Sequence, residues 1–421
     1  MIEAVAATND QPPTQTIVHV DINSYFATLL QQETPALRGK PVVIVKNVGR
    51  TCVIAASKEA KKLGIKTGCT VGDAHMLAPN VIEMPAEFDL YLSATRELKQ
   101  LFESLSPQVE IFSLDESFIH FTPIRQLYLS PVAFGQHIQQ KIKQRLGSWV
   151  TCNVGIAKNR FLAKLSSEVA AKGSVTQVTQ DNQAALLAST TFDSVCGIGF
   201  RLGRRLEQIG VTVPYQINFL PDDLLFEQFG PYWSLELRKM GRGEEPALLD
   251  RAAEELPHMK SVGRSITGYK LCRNETVLKS TLYNLTAEVM YKVRKMKLAG
   301  RLVSIYLLGQ DQSWGTHVTL QYYVRHTNEM FKVIWQQLYQ RWPKNFAVIK
   351  LAVALHLLKP WTEVQDCWFP NWWKQERVAT AVDSITQKYG LFKVTSGLLL
   401  NTQIIRPEVT GFLGDKKFQF A

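Results

Sequence analysis

The stretch that most constrains this chain is VHVDINSYFA, Val18 to Ala27. Its first half is short, apolar and rich in β-branched residues, the pattern of a buried strand. Asp21 ends that run, and an aromatic, helix-forming segment follows at once. A second stretch, QVEIFSLDESFIHF, places carboxylates in a similar setting. Val109, Ile111 and Phe112 lead in, Phe118, Ile119 and Phe121 lead out, and Asp115 and Glu116 occupy the polar centre. This predicts a hairpin with two carboxylates at its turn. If the two strands are neighbours in one sheet, three carboxylates meet at one edge. Such groups repel one another unless cations lie between them. Mg²⁺ suits the position, because it takes oxygen ligands and shares itself between carboxylates and substrate phosphates. Two such ions, about 3.5–4 Å apart, clamp the attacking and leaving oxygens of a phosphoryl transfer. Spacing alone also allows a plainer reading, in which Asp21 caps the following helix and Asp115-Glu116 is a polar turn.

The rest of the chain predicts several cores. At 421 residues and 46% hydrophobic it exceeds what one core organises. PVVIVK (Pro41 to Lys46) reads as a strand, SKEAKKLGI as a helix stopping at Gly64, and DLYLSATRELKQLFESLSP as an amphipathic helix with Leu90, Ala94, Leu98 and Leu101 on one face. A small helical region spans about 179–243. Beyond a linker, strand, helix, strand, strand, helix and strand follow in order, a separate βαββαβ unit, so the fold class is α+β. Lys and Arg number 48 against 37 Asp and Glu, a formal charge of +11, which favours a polyanionic partner. Six cysteines without a CxxC or Cys/His cluster argue against structural zinc and a disulfide framework. No apolar run approaches the roughly 20 residues of a membrane span. The first residues lack the pattern of a signal peptide, so a cytoplasmic protein is expected.

Five motifs then occur in one register: VDINSYFA, TCVIAASKEAKKLGIKTG, SPQVEIFSLDESF, GIAKNRFLAKLSSEVA and VCGIGFRLGRRLEQIGV. Together they resemble the Y family of translesion DNA polymerases, from about Val18 to Leu358. VDINSYFA, EAKKLGIKTG, SPQVEIFS and GIGFRL look most like the catalytic subunit of polymerase V (UmuC-like), with polymerase IV (DinB-like) next. The resemblance implies a right hand with a tail (1–15), palm (16–40 and 79–178), fingers (41–78) and a thumb with a helix-hairpin-helix (179–245). A linker (246–258), a βαββαβ little finger (259–360) and a C-terminal tail (361–421) complete it. It also implies DNA-templated DNA synthesis in damage bypass, with two Mg²⁺ ions held by Asp21, Asp115, Glu116 and the carbonyl of Ile22. A non-catalytic scaffold of a bypass complex is the alternative; such relatives lose the metal carboxylates. A nucleotide cyclase with a related palm would need neither the helix-hairpin-helix nor the basic little finger.

The resemblance assigns further residues. Phe26 matches the steric gate, the ring beneath the incoming sugar, with Tyr25 packed into the palm. Lys164 matches the triphosphate-binding lysine, and Lys61 stands where the family has Arg or Lys for that task. Polymerase IV members carry Thr and Tyr in the finger helix where this chain has Ala55 and Lys58, so Lys58 either replaces the tyrosine's phosphate contact or is simply exposed. Gly197 and Gly199 let the backbone approach a DNA phosphate, and Arg201, Arg204 and Arg205 add charge. Lys260, Arg264, Lys270 and Arg273, on or beside the first little-finger strand, are expected to neutralise DNA phosphates. Lys292, Arg294, Lys295 and Lys297 read as a solvated helix face. In VQDCWFP, Gln365, Trp368 and Phe369 imperfectly resemble a segment that docks in a sliding clamp; a tail packing its tryptophans onto the body is the other reading. The implied partners are primer–template DNA and dNTP, with a sliding clamp and polymerase V-type accessory proteins as further candidates and no membrane.

Overall fold

The computed structural model describes residues 15–46, 52–250, 259–364 and 372–400. The chain forms two compact units, one up to Pro257 and one beginning at His258. No described helix is long and apolar enough to cross a membrane. Five described cysteines are free thiols.

The first unit is built on strand β1 (Ile17–Ile22), the centre of a five-stranded sheet ordered β5-β6-β1-β7-β8. Both neighbours run antiparallel to it. They are β6 (Glu116–His120), which forms the expected hairpin with β5 (Val109–Ile111), and β7 (Cys152–Ala157), which carries β8 (Val175–Gln177) in parallel. The period of two in a strand divides the side chains of β1 between two covered faces. Val18, Val20 and Ile22 join the core with α1 (Tyr25–Glu33), α4 (Phe88–Leu105) and α5 (Pro131–Leu146). Ile17, His19 and Asp21 point the other way, towards α6 (Arg160–Val169), where Ile17 shares a core with Phe161 and Leu162 and His19 bonds Ser167. Cover on both sides explains why β1 is apolar almost throughout. In α4 the fully buried line is Tyr91, Ala94, Thr95, Leu98 and Phe102, with Leu90 and Leu101 on its flanks.

Residues 41–85 hold a second, three-stranded sheet, with β2 (Val42–Val45) between β3 (Val53–Ala56) and β4 (Ile82–Pro85). The short helices α2 (Lys58–Lys62) and α3 (Val71–Leu77) enclose its small core, in which Ala60, Ile65 and Ala74 are fully buried. The helical region comprises α7 (Gln180–Ser189), α8 (Phe200–Gln208), α9 (Asp222–Arg242) and α10 (Ala247–Asp250). Helix α9 is kinked where Gly230, at φ 76°, precedes Pro231.

The second unit has the predicted βαββαβ order. Its all-antiparallel sheet runs β11-β10-β12-β9, from β9 (Ser261–Cys272), β10 (Leu298–Leu308), β11 (Ser313–Val324) and β12 (Val348–His356). Helix α11 (Glu275–Lys295) and α12 (Thr327–Lys332) cover one face. The second helix of that order is divided: α12 continues as a wider π turn over Val333–Leu338 and a tight turn over Tyr339–Arg341. There Trp335 stacks on Tyr339 at 4.4 Å. A short β13 (Lys359–Pro360) pairs with β10, and α13 (Trp372–Tyr389) follows it.

Candidate active site

Strand register brings the carboxylates together. Asp21 lies directly opposite Glu116 across the β1–β6 ladder, and the Ile22 amide donates to the Asp115 carbonyl at 3.0 Å. A cavity of about 360 Å³ opens beside them. Asp21, Asp115, Phe26, Lys61, Glu168 and Lys172 are among the residues lining it. Burial pushes the Asp21 carboxyl up to about 7, and the Glu116 and Asp115 charges push the same way. Burial also raises Asp115, against a hydrogen bond from the Ser113 hydroxyl. These two carboxyls facing one cavity are held in an unfavourable charge state, which an oxygen-loving cation would relieve.

Glu116 is differently placed. Burial works to raise its carboxyl, but His19 and the Lys164 ammonium overcome it and hold the group at about 2. Lys164 donates to it at 2.6 Å, whereas His19 Nε2, 3.9 Å away, is too far for a hydrogen bond and is buried without a partner. Lys164 is the cause that matters, because burial keeps the His19 imidazole below its ordinary value and therefore neutral at pH 7. Among the described residues no three Asp, Glu, His or Cys side chains stand at metal-ligand spacing. Asp21 and Asp115 present the cavity with carboxylate oxygens of the kind Mg²⁺ takes, whereas one oxygen of Glu116 is engaged by Lys164. The lysine reaches so far because α6 lies close on β7 at Gly155. A Cβ on Gly155 would overlap the Ala163 carbonyl.

Phe26 is buried, stacks on Tyr91 at 4.1 Å and forms part of the cavity wall. Tyr25 packs into the core of the first unit, its hydroxyl donating to the Tyr91 carbonyl at 2.8 Å. Lys61 lines the cavity, and partial burial and the Lys172 charge push its ammonium below the ordinary value. Lys58 is exposed, the second of its two sequence readings. It is not on the cavity wall, and its ammonium lies over the Trp149 ring, 4.0 Å from the centroid. Lys164 meets Glu116 in place of the cavity. Sequence reasoning missed Ser24, Thr67, Ser113, Glu168 and Lys172 on the wall. The fourfold spacing Lys164, Glu168, Lys172 was the available signal for the last two.

Gly199 caps α8, and Gly197 adopts φ 93°, where a Cβ would also meet Leu248. Arg201 and Arg204 are exposed. Arg205 is also exposed; it bonds the Gln228 carbonyl and lies over Phe229. In the second unit Lys260, Lys270 and Arg273 are exposed. Arg264 is not. Strand alternation turns it with Val262 towards α11, where its side chain, 3% exposed, meets the fully buried Glu288 at 2.9 Å. Arg294 likewise leaves the expected solvated face and pairs with Asp383 of α13 at 2.6 Å and 2.8 Å. Gln365, Trp368 and Phe369 lie outside the described residues.

Known proteins match this architecture. Residues 20–168 match the impB/mucB/samB family, and residues 259–366 match the C-terminal domain of the same family. A DNA polymerase IV of Moorella thermoacetica is 29% identical over 378 residues, 89% of this chain and 93% of that protein. A DNA polymerase IV of Pelotomaculum thermopropionicum is 28% identical over 378 residues, 89% of this chain and 92% of that protein. A solved Y-family DNA polymerase chimera, Dbh-Dpo4(243-245)-Dbh, superposes with a TM-score of 0.68 at 22% identity, covering 81% of this chain and 98% of its own. With both parts of one family matched in order on a shared fold, the chain belongs to the Y family of DNA polymerases.

Proposed function

We infer that this chain is a template-directed DNA polymerase of the translesion kind. The observation that carries the reading is the cavity where Asp21 and Asp115 repel each other beside Phe26 and Lys61. Two Mg²⁺ ions bound there would supply the charge that activates the primer 3′-hydroxyl and neutralises the departing pyrophosphate. Asp21 and Asp115, with Glu116 and the Ile22 carbonyl, would hold them. Lys61 faces the triphosphate, where added positive charge counts most as charge develops. Phe26 closes the wall beneath the sugar and excludes a 2′-hydroxyl by bulk. The family domains are assigned as expected from the sequence: palm 16–40 and 79–178, fingers 41–78, thumb 179–245, linker 246–258, little finger 259–360 and tail 361–421. Gly197, Gly199, Arg201 and Arg204 would meet DNA phosphates from the thumb, and Lys260, Lys270 and Arg273 from the little finger.

The branch is a finer matter. The relatives named above are polymerase IV proteins. Support for a polymerase V-like chain comes from Ala55 and Lys58, which stand where polymerase IV members carry Thr and Tyr. A cytoplasmic role in the SOS response, clamp docking through Gln365, Trp368 and Phe369, and polymerase V-type accessory proteins belong to the same proposal. No observation favours a non-catalytic scaffold. Primer extension by the purified chain with Mg²⁺ and dNTPs tests the reading, with Asp115→Ala as the control. Template-dependent extension lost in Asp115→Ala is expected. Equal activity in both proteins would refute the metal assignment.

A further inference from the structure

Trp149 lies in none of the five motifs, yet it joins the end of α1 to α2, the helix that carries Lys61. It stands in the loop between α5 and β7. Its amide donates to Gln32 Oε1 at 3.0 Å and its indole to Gln31 Oε1 at 3.1 Å, both in the last turn of α1. Gln31 is buried, and its Nε2 donates in turn to Glu59 of α2 at 3.2 Å and to the Leu37 carbonyl at 3.1 Å. The Trp149 ring carries the Lys58 ammonium 4.0 Å from its centroid, with the Arg38 guanidinium 5.4 Å from it. Arg38 is itself fixed, donating to the Gln31 and Gln32 carbonyls at 2.9 Å and 3.1 Å.

Helix α2 has five residues, too few to hold its shape alone. Ser57 caps it, accepting from the Ala60 amide at 3.2 Å, and Ala60 is fully buried. Lys58 and Lys61 are three residues apart and so share one side of the helix. Without further contacts the two ammonium groups would crowd the same space. The attraction of a cation to an aromatic face is strongest for tryptophan, and it gives Lys58 a place of its own. Among the described residues, Lys61 is then the one α2 lysine on the cavity wall, with Asp21, Phe26 and Asp115. A lysine stem is flexible, so its charge reaches one place only when its root is held.

We propose that Trp149 is a positioning residue of the nucleotide site: it holds Lys58 on its ring, and Glu59 through Gln31, so that α2 presents Lys61 to the triphosphate. The proposal rests on the polymerase reading and on the place given there to Lys61. Trp149 touches no substrate atom in this assignment, and its whole contribution passes through α2. A lysine at position 58 suits the role, because its ammonium is drawn to the ring face. Gln31 suits it too, since one amide group accepts from the indole and donates to the helix at the same time.

The test measures affinity for the templated dNTP with the full chain on a primer–template ending in a dideoxynucleotide, so that no turnover occurs. Trp149→Ala should weaken dNTP binding about fivefold, the effect of losing one cation–ring contact. Trp149→Phe, which keeps a ring for Lys58, should restore most of the loss. Lys58→Met, an exposed change that leaves the fold alone, should match Trp149→Ala, and the double variant should be no worse than either. The deciding arm is the Lys61→Ala background. There Trp149→Ala and Lys58→Met should cost nothing more, because their effect passes through Lys61. Wild-type affinity in Lys58→Met and Trp149→Ala, or an undiminished loss without Lys61, would overturn the assignment while leaving the polymerase reading in place. If Lys61→Ala alone binds dNTP as the wild type does, the place given to Lys61 fails and the assignment with it. If the wild-type complex does not prefer the templated dNTP, the polymerase reading itself fails.

Discussion

Asp21 is the residue whose environment is most at odds with its charge. A carboxyl raised to about 7 in the folded chain binds a proton that the unfolded chain has already lost above about pH 4. In chelator, folding stability therefore falls as pH rises from about 4 to about 7. Asp21→Asn removes that cost. It should raise Tm at pH 7.5 in chelator, by about 1 kcal/mol or more of stability, with the gain fading towards pH 4. The same change should abolish extension. A thermal melt at both pH values checks the first half, and a loss of Tm at pH 7.5 would contradict it. Phe26 gives a second prediction. Phe26→Ala should let rNTPs in, and should cost about 3 kcal/mol because the ring is buried against Tyr91. The ratio of rNTP to dNTP incorporation, with Tm alongside, is the measurement. The convergence of Asp21, Asp115 and Glu116 could be expected from carboxylates placed at the ends of apolar strands, but their role rested on the five motifs in one register, because spacing alone also allows a helix cap and a polar turn. The partners of Lys58, Lys164 and Arg264 were not legible, since Trp149, Glu116 and Glu288 become their neighbours only through the fold.

At the level of elements, alternation was the reliable signal and its phase the hidden one. The strand from Ser261 and the βαββαβ order were readable from pattern, as was the hairpin at Asp115. Which face of β9 turned inwards was not, because Arg264 on the inner face reads like any basic residue. The pair with Glu288 resolves it: a buried ion pair is tolerated only when both members are present. Arg264→Ala should destabilise the second unit by about 3–5 kcal/mol, seen as a lower urea midpoint. Lys270→Ala with Arg273→Ala should leave that midpoint unchanged. That double change should instead weaken DNA binding on every sequence alike. It should flatten the plot of log K against log salt by about 0.9 for each lost duplex phosphate contact. Unfolding by the outer pair, or a neutral Arg264→Ala, would reverse the assignment of faces.

At the scale of the molecule, the chain is two compact units with separate cores. A polypeptide of residues 258–409 should unfold in one cooperative step and bind DNA without extending a primer; a non-cooperative melt would show that its core is incomplete. Composition had indicated several cores and a polyanionic partner, but not which cores share a unit. Within the first unit, the start of α6 is fastened to the segment after α9. Asn159 donates to the Gly243 carbonyl at 2.9 Å, and Arg160 meets Glu245 at 2.7 Å and Glu110 at 3.1 Å. The helical region is thus locked to the helix that carries Lys164. That fastening bears on heredity. Recombination between relatives that breaks the chain between Arg160 and Glu245 separates a lock from its key, whereas a crossover beyond residue 250 passes both on together. Mosaic descendants that keep their activity should therefore inherit the stretch from Asn159 to Glu245 from a single parent.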